Sequence, residues 1–204
     1  MKTTLLIATL AAGLSTLYAA PQTFDFKDPK GVNNATFKLD ATLETITGSA
    51  NGVSGTLSID PADPSATKGT ITVDATSLHV ENPVMKEHLH GKDWLDTTTN
   101  GTITFTVKNL TDVKKSGDTV EAKVNGTFSL KGVTREITVP AKVTLLPGKL
   151  AARTMGKMKG DLLVVRSTFS IKRSDYGIND KAPVESVADE IEISLAIAGA
   201  SPEK

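Results

Sequence analysis

From Gly69 to Ile197 the chain alternates apolar and polar residues with a period of two, and that period decides what it can fold into. Ile103, Phe105 and Val107 fall on one side of a run whose other side is Thr102, Thr104 and Thr106. Ile71, Val73 and Ala75 likewise oppose Thr70, Thr72 and Asp74. Val124, Gly126, Phe128 and Leu130 share a face, and so do Ile191, Ile193, Leu195 and Ile197. Successive side chains of a strand point to opposite faces, so the pattern dries one face and wets the other, as in half-buried antiparallel strands.

Turn signals such as Asp60-Pro61, Lys115-Ser116-Gly117-Asp118 and Lys131-Gly132 separate these runs. Eight or nine strands are predicted, near 23–28, 34–47, 52–59, 68–78, 101–110, 119–131, 134–146, 160–172 and 187–198. Several exceed the usual five to six residues, which favours a closed antiparallel barrel over a sandwich. A barrel of about eight strands encloses room for side chains or for one ligand. With only six Phe, two Tyr and one Trp in the chain, inward faces of Val, Ile, Leu and Ala fill that room poorly. An apolar cavity is therefore expected, with a flattened, fully packed barrel as the alternative. So few aromatic residues also cannot build the two girdles of an outer-membrane barrel.

One stretch breaks the alternation, Asn82 to Asp96. Asn82 suits an N-cap and Pro83 the first helical position. Gly91 closes the segment as a glycine able to turn left-handed. A helix of about two turns follows, then Trp94-Leu95. One short helix in an all-β chain reads as a lid over a barrel end.

Residues 1–19 read as a secretory signal peptide, with Met1-Lys2, an apolar run from Leu5 to Leu17 and a cleavage site at Leu17-Tyr18-Ala19. The run is shorter than the ~20 residues a membrane-spanning helix needs. Residues 20–204 then form one domain. The chain has no Cys, so disulfides, thiolate chemistry and Cys-ligated metals are excluded and the core alone must stabilise it. Lys plus Arg number 23 and Asp plus Glu 23, which gives no basic footprint for nucleic acid.

Four segments carry a resemblance to a known family. They are Val73-Asp74-Ala75-Thr76-Ser77-Leu78 with Glu87-His88-Leu89, Lys92-Asp93-Trp94-Leu95-Asp96 and Thr102 to Phe105; Gly126 to Arg135; Phe169 to Ile178; and Val187 to Ile193. In order and spacing they resemble the YceI-like family, roughly from Thr23 to Ala198. The resemblance implies an all-β, eight-stranded, lipocalin-like barrel with one short lid helix. It further implies a periplasmic or secreted protein enclosing a long isoprenoid or similar amphiphilic lipid, with no enzymatic activity and no cofactor. Trp94-Leu95 stands where the family usually has two Phe, and the loop from Pro147 to Gly160 is long and basic.

The strand period assigns Leu89, Trp94, Ile103, Phe105, Phe128, Phe169 and Leu195 to the inward, ligand-binding set, with Phe105 and Phe128 facing across a shared pocket. His88 is expected to pin the lid or touch a head group. Arg173 either recognises an anionic head group or forms an ion pair with Asp175 that closes the barrel end, with Gly177 at positive φ. No metal site is expected, because His88 and His90, two apart on a helix, diverge. Gly48-Ser49-Ala50-Asn51-Gly52 misses the nucleophile-elbow spelling. Lys149, Arg153, Lys157 and Lys159 form either a solvated loop or a transient contact to an anionic membrane surface. The oligomeric state is left open, a dimer included. Two functions follow: a carrier or stress buffer for the lipid, or a chaperone-like stress protein with no small ligand.

Overall fold

The computed structural model describes residues 21–203, so the predicted leader lies outside the described residues. Eleven strand segments follow one another: β1 (Gln22–Asp25), β2 (Asn34–Asp40), β3 (Thr45–Ala50), β4 (Val53–Ile59), β5 (Lys68–Asp74), β6 (His79–Val80), β7 (Thr102–Ser116), β8 (Thr119–Leu130), β9 (Val133–Leu146), β10 (Gly160–Lys172) and β11 (Glu190–Pro202). All pairings are antiparallel. The order β1-β4-β5-β7-β8-β9-β10-β11 returns to β1 where Asp25 meets Ala200, which closes an eight-stranded barrel. Toward the lid end, β2 takes over the same edge of β11 from Glu192 to Ala196, β3 pairs with β2, and β6 with β3. Thus β1 and β2 act as one barrel strand interrupted by a loop, and β3 and β4 as one strand broken at Asn51-Gly52.

Several strand boundaries differ from the sequence reading. The run 23–28 ends at Asp25 and the run 187–198 begins at Glu190. The run 68–78 stops at Asp74, whose carboxylate accepts from the Thr76 N–H at 2.8 Å and opens a 3₁₀ turn at Ala75–Ser77. The run 34–47 is not one strand: it turns at residues 41–44, where the Ala41 N–H donates to the Glu44 carbonyl at 2.9 Å. The run 101–110 continues to Ser116, because irregular pairing beyond Val107 and Thr111, with Asp112 at φ 53°, bends the strand instead of ending it. The hairpin at Lys131-Gly132 forms as signalled, with both residues at positive φ (49° and 75°), as a two-residue type I′ turn requires.

The dry faces point inward. On one side of the barrel Phe24, Phe26, Leu163 and Ile197 are no more than 1% exposed and fill the space completely. Toward the lid Leu78, Leu95, Phe128, Leu130, Tyr176 and Ile178 pack together. Burying each such side chain stabilises the fold by roughly 1.5–3 kcal/mol.

Between β1 and β2 the ladder with β11 is completed by a side chain. Ala198 lies between the last partner of β2, Ala196, and the partner of β1, Ala200. There the Asn33 Oδ1 accepts from the Ala198 N–H at 2.8 Å, and Nδ2 donates to the carbonyls of Ala198 (3.1 Å) and Phe26 (3.0 Å). Arg153, at the end of helix α2 (Leu150–Arg153), donates to the same Asn33 oxygen at 3.3 Å and pairs with Asp28 at 3.2 Å. Burial disfavours the Asp28 charge, but the N–H groups of Asn33, Lys30 and Val32 and the Arg153 cation outweigh it and hold this carboxyl below its ordinary range. Of the basic loop, Arg153 is therefore structural, while Lys149, Lys157 and Lys159 are exposed.

Asn33→Ala strands one N–H and two carbonyls at this seam. Each stranded buried group costs about 1–3 kcal/mol, so chemical denaturation should show a loss of at least ~3 kcal/mol. A loss below ~1 kcal/mol would mean the seam does not depend on Asn33.

Candidate functional site

Helix α1 (Pro83–His90) crosses one end of the barrel. Its N-terminus is set as the sequence indicates: the Asn82 side-chain oxygen accepts from the N–H groups of Val84 (3.0 Å) and Met85 (3.1 Å). The C-terminus differs from expectation. Gly91 is extended, at φ −70°, and glycine is favoured there because a Cβ would crowd the His88 carbonyl at 3.1 Å. The residue that pins the helix is His90, not His88. Its ring reaches the Leu78 carbonyl at 3.0 Å and the Thr97 hydroxyl at 3.3 Å. His88, two positions earlier, is exposed at the barrel mouth.

None of the α1 side chains is buried. Met85 and Leu89 instead face a cavity of about 410 Å³ that runs down inside the barrel, a size within the range of small-molecule sites. Leu89, Trp94, Ile103, Phe105, Phe128, Phe169 and Leu195 all lie on its wall. Ile71, Val124 and Ile193, from the same dry faces, also line it, as do Phe37 and Met85, which the sequence reading does not assign. The alternation Ala35-Phe37-Leu39 was the available signal for Phe37. Phe105 and Phe128 are register partners on adjacent strands, side by side on one wall, not across the pocket. The ring that Phe128 meets is Phe169 of β10, one strand beyond its neighbour β9, edge to face at 6.1 Å. Phe128 also packs edge to face on Tyr176 at 5.7 Å.

Polar groups gather at the lid end, where Glu44, His88, Arg173 and Ser186 border the cavity. The Leu43 N–H donates to the Glu185 carbonyl at 2.8 Å and ties the two rim loops together. The expected Arg173–Asp175 ion pair is not formed. Asp175 lies 3.7 Å from Arg135, whose guanidinium sits over the Tyr176 ring at 5.9 Å. Arg173 is only 2% exposed. It donates to the main-chain carbonyls of Ile178 (2.7 Å), Asn179, Val187 (3.4 Å) and Ala188 (3.5 Å). The fork thus clasps both ends of the rim loop 178–188, and Gly177 takes the expected left-handed turn at φ 60°. Asp189 supplies the nearby negative charge. The Ser174 N–H, outweighing burial and helped by the Ser174 hydroxyl and Arg173, holds its carboxyl below the usual range. Among the described residues no group of three or more His, Asp or Glu is placed to hold a metal ion.

Asn82→Ala should weaken α1 by about 1 kcal/mol, seen as faster amide exchange confined to residues 83–95. Global unfolding would instead make the helix part of the core. Arg173→Met takes the guanidinium from the Ile178, Val187 and Ala188 carbonyls, while the Asn179 carbonyl keeps the Ala182 N–H at 3.0 Å, and thermal unfolding should show a loss of at least ~2 kcal/mol. Unchanged stability would leave Arg173 free of this structural duty.

A YceI-like domain model matches residues 27–198. The YceI protein of Shigella flexneri is 31% identical over 145 residues, covering 71% of this chain and 69% of that protein. Among solved structures, Burkholderia cenocepacia BcnA superposes with a TM-score of 0.65 at 21% identity, over 81% of this chain and 95% of its own. A polyisoprenoid-binding domain from Saccharophagus degradans gives 0.63 at 15% identity, over 89% and 99% respectively.

Proposed function

The chain belongs to the YceI-like family, and we propose that its barrel binds a long isoprenoid-type or similar amphiphilic lipid as a non-enzymatic carrier or stress buffer. We place it in the periplasm or outside the cell, on the strength of the signal-peptide pattern at residues 1–19. The observation that carries the binding reading is the cavity itself. The cavity of about 410 Å³ is walled by Ile, Val, Leu and Phe, with charged groups only near its mouth. Such a wall offers water few hydrogen-bond partners. It suits an alkyl or isoprenoid tail, whose burial is favourable at ~0.8 kcal/mol per CH₂ taken from water. The polyisoprenoid-binding domain of the same fold agrees with this choice.

Magnitudes favour exchange over permanent capture. At ~0.8 kcal/mol per CH₂, a tail of about forty carbons drawn from water would gain roughly 30 kcal/mol. Real complexes stop near 18–21 kcal/mol. A tail drawn from a membrane gains little from the hydrophobic effect, because lipid and barrel are both apolar. Head group, lid and tail freedom then set the balance. Contacts from His88 and from the one Arg173 N–H not spent on a carbonyl serve the head group, while α1 and Trp94 move to admit the tail. A transient membrane contact fits such exchange.

Native mass spectrometry of protein purified from its own host without detergent should show a co-purifying lipid. Phe128→Asp, placing an unpaired carboxylate against the tail, should abolish retention, and titration of the wild type with a polyprenyl lipid should shift Trp94 emission. An empty barrel with unchanged Trp94 emission favours the chaperone-like reading.

A further inference from the structure

Three inward-facing glycines each lie beneath a phenylalanine ring. A Cβ on Gly126 would stand 2.7 Å from the Phe105 Cζ, and one on Gly199 would stand 2.8 Å from the Phe26 ring. One on Gly48 would run into the Phe37 ring. Backbone conformation does not call for glycine at these places, since none of the three is at positive φ, unlike Gly55, Gly69 and Gly160. What leaves no room for a side chain is the ring lying against the wall, together with a neighbouring carbonyl, Thr106 at Gly126 and His79 at Gly48, each 2.5 Å from the added carbon.

The consequence differs with place. At Gly199 the covering ring, Phe26, is wholly buried and belongs to the filled side of the barrel. At Gly48 and Gly126 the covering rings border the cavity. Phe37 is the register partner of Gly48, and Phe105 is the partner of Phe128, which meets Phe169. Phe169 is in turn opposite Ile193, whose other partner is Phe37. Four phenylalanines thus form a waist. Two of them, Phe128 and Phe169, touch edge to face, whereas Phe37 and Phe105 are drawn back onto bare backbone.

We propose that Gly48 and Gly126 set the bore of the barrel: by letting Phe37 and Phe105 lie flat, they widen the waist enough for a methyl-branched isoprenoid tail and not only for a straight alkyl chain. The proposal rests on the lipid-binding reading. A side chain at either glycine swings the ring toward the lumen, and the branch methyls are the first atoms to lose their space. In an apolar pocket a mismatch of one methylene changes selectivity by about 10–200-fold, which sets the size of the expected effect.

The test uses two probes, a polyprenyl alcohol and a saturated straight-chain alcohol of equal main-chain length, with affinities read by native mass spectrometry. Gly126→Ala should lose about 10–200-fold in affinity for the branched probe and keep its affinity for the straight one within a few-fold. Adding Phe105→Ala to Gly126→Ala should restore the branched probe, because the displaced ring is gone. Phe105→Trp, which leaves the backbone at residue 126 untouched, should show the same selective loss and decides the matter if Gly126→Ala does not fold. Equal loss of both probes with no rescue by Phe105→Ala would overturn the proposal, as would wild-type behaviour of Phe105→Trp. A wild-type protein that binds neither probe would instead count against the lipid-binding reading itself.

Discussion

The barrel closes where one amide side chain, Asn33, bridges the gap between two main-chain pairings. Strand β11 has a single outer edge, and β1 and β2 each cover only part of it. At Ala198, in the gap between them, Asn33 accepts and donates as a backbone unit would. This matters because the other wall strands meet through main-chain ladders, even where the β7–β8 pairing bulges or the strand breaks at Asn51-Gly52. An open seam would expose unpaired N–H and C=O groups on two strands, the usual hazard of a sheet edge. Arg153 and Asp28 hold Asn33 from outside. The closure therefore joins a loop near the start of the described chain, the short helix α2 and the last strand.

Closure allows the interior to be hollow. A ring of long strands keeps its shape through main-chain bonds, so the core need not be filled throughout. Phe24, Phe26, Leu163 and Ile197 bury one part of the interior. The cavity is lined from every strand between β2 and β11, and the lid above it has no buried residue of its own. Such a lid is held by few bonds: an N-cap at Asn82, the His90 ring on Leu78 and Thr97, and the packing of Leu95 below it. Segments with little buried surface are the ones that open at low cost, as the proposed entry of a lipid would require. Arg173 fixes the facing rim loop through carbonyls. The two sides meet at the Asp93 carbonyl, which accepts from the Asn179 N–H at 2.9 Å and from Lys131 at 3.0 Å.

What the sequence made legible follows from the period of two. A strand shows its inward face directly, so Ile103, Phe105, Phe128, Phe169 and Leu195 are legible on four strands, and the structure brings them around one cavity. The lid was legible because Asn82 and Pro83 act locally. The break at 41–44 was not, since Ala41-Thr42-Leu43-Glu44 contains no Gly, Pro, Asn or Asp to mark a turn. The spacing of His88 and His90 shows that they diverge but not which of them faces the barrel. Arg173 misled for another reason: its partners are carbonyls, which carry no residue identity, so the neighbouring Asp175 looked like its mate. Asn33 was invisible because its partner at Ala198 is distant in the chain and again main chain.

Whether this cavity holds a ligand is decided by a high-resolution crystal structure of protein taken from its own host without detergent. Continuous density that does not belong to the protein is expected between Trp94 and Val120, flanked by Phe37 and Phe105 lying flat on Gly48 and Gly126. Phenylalanine rings turned into the lumen to fill it, with no foreign density, would show that the barrel is not made to hold a lipid.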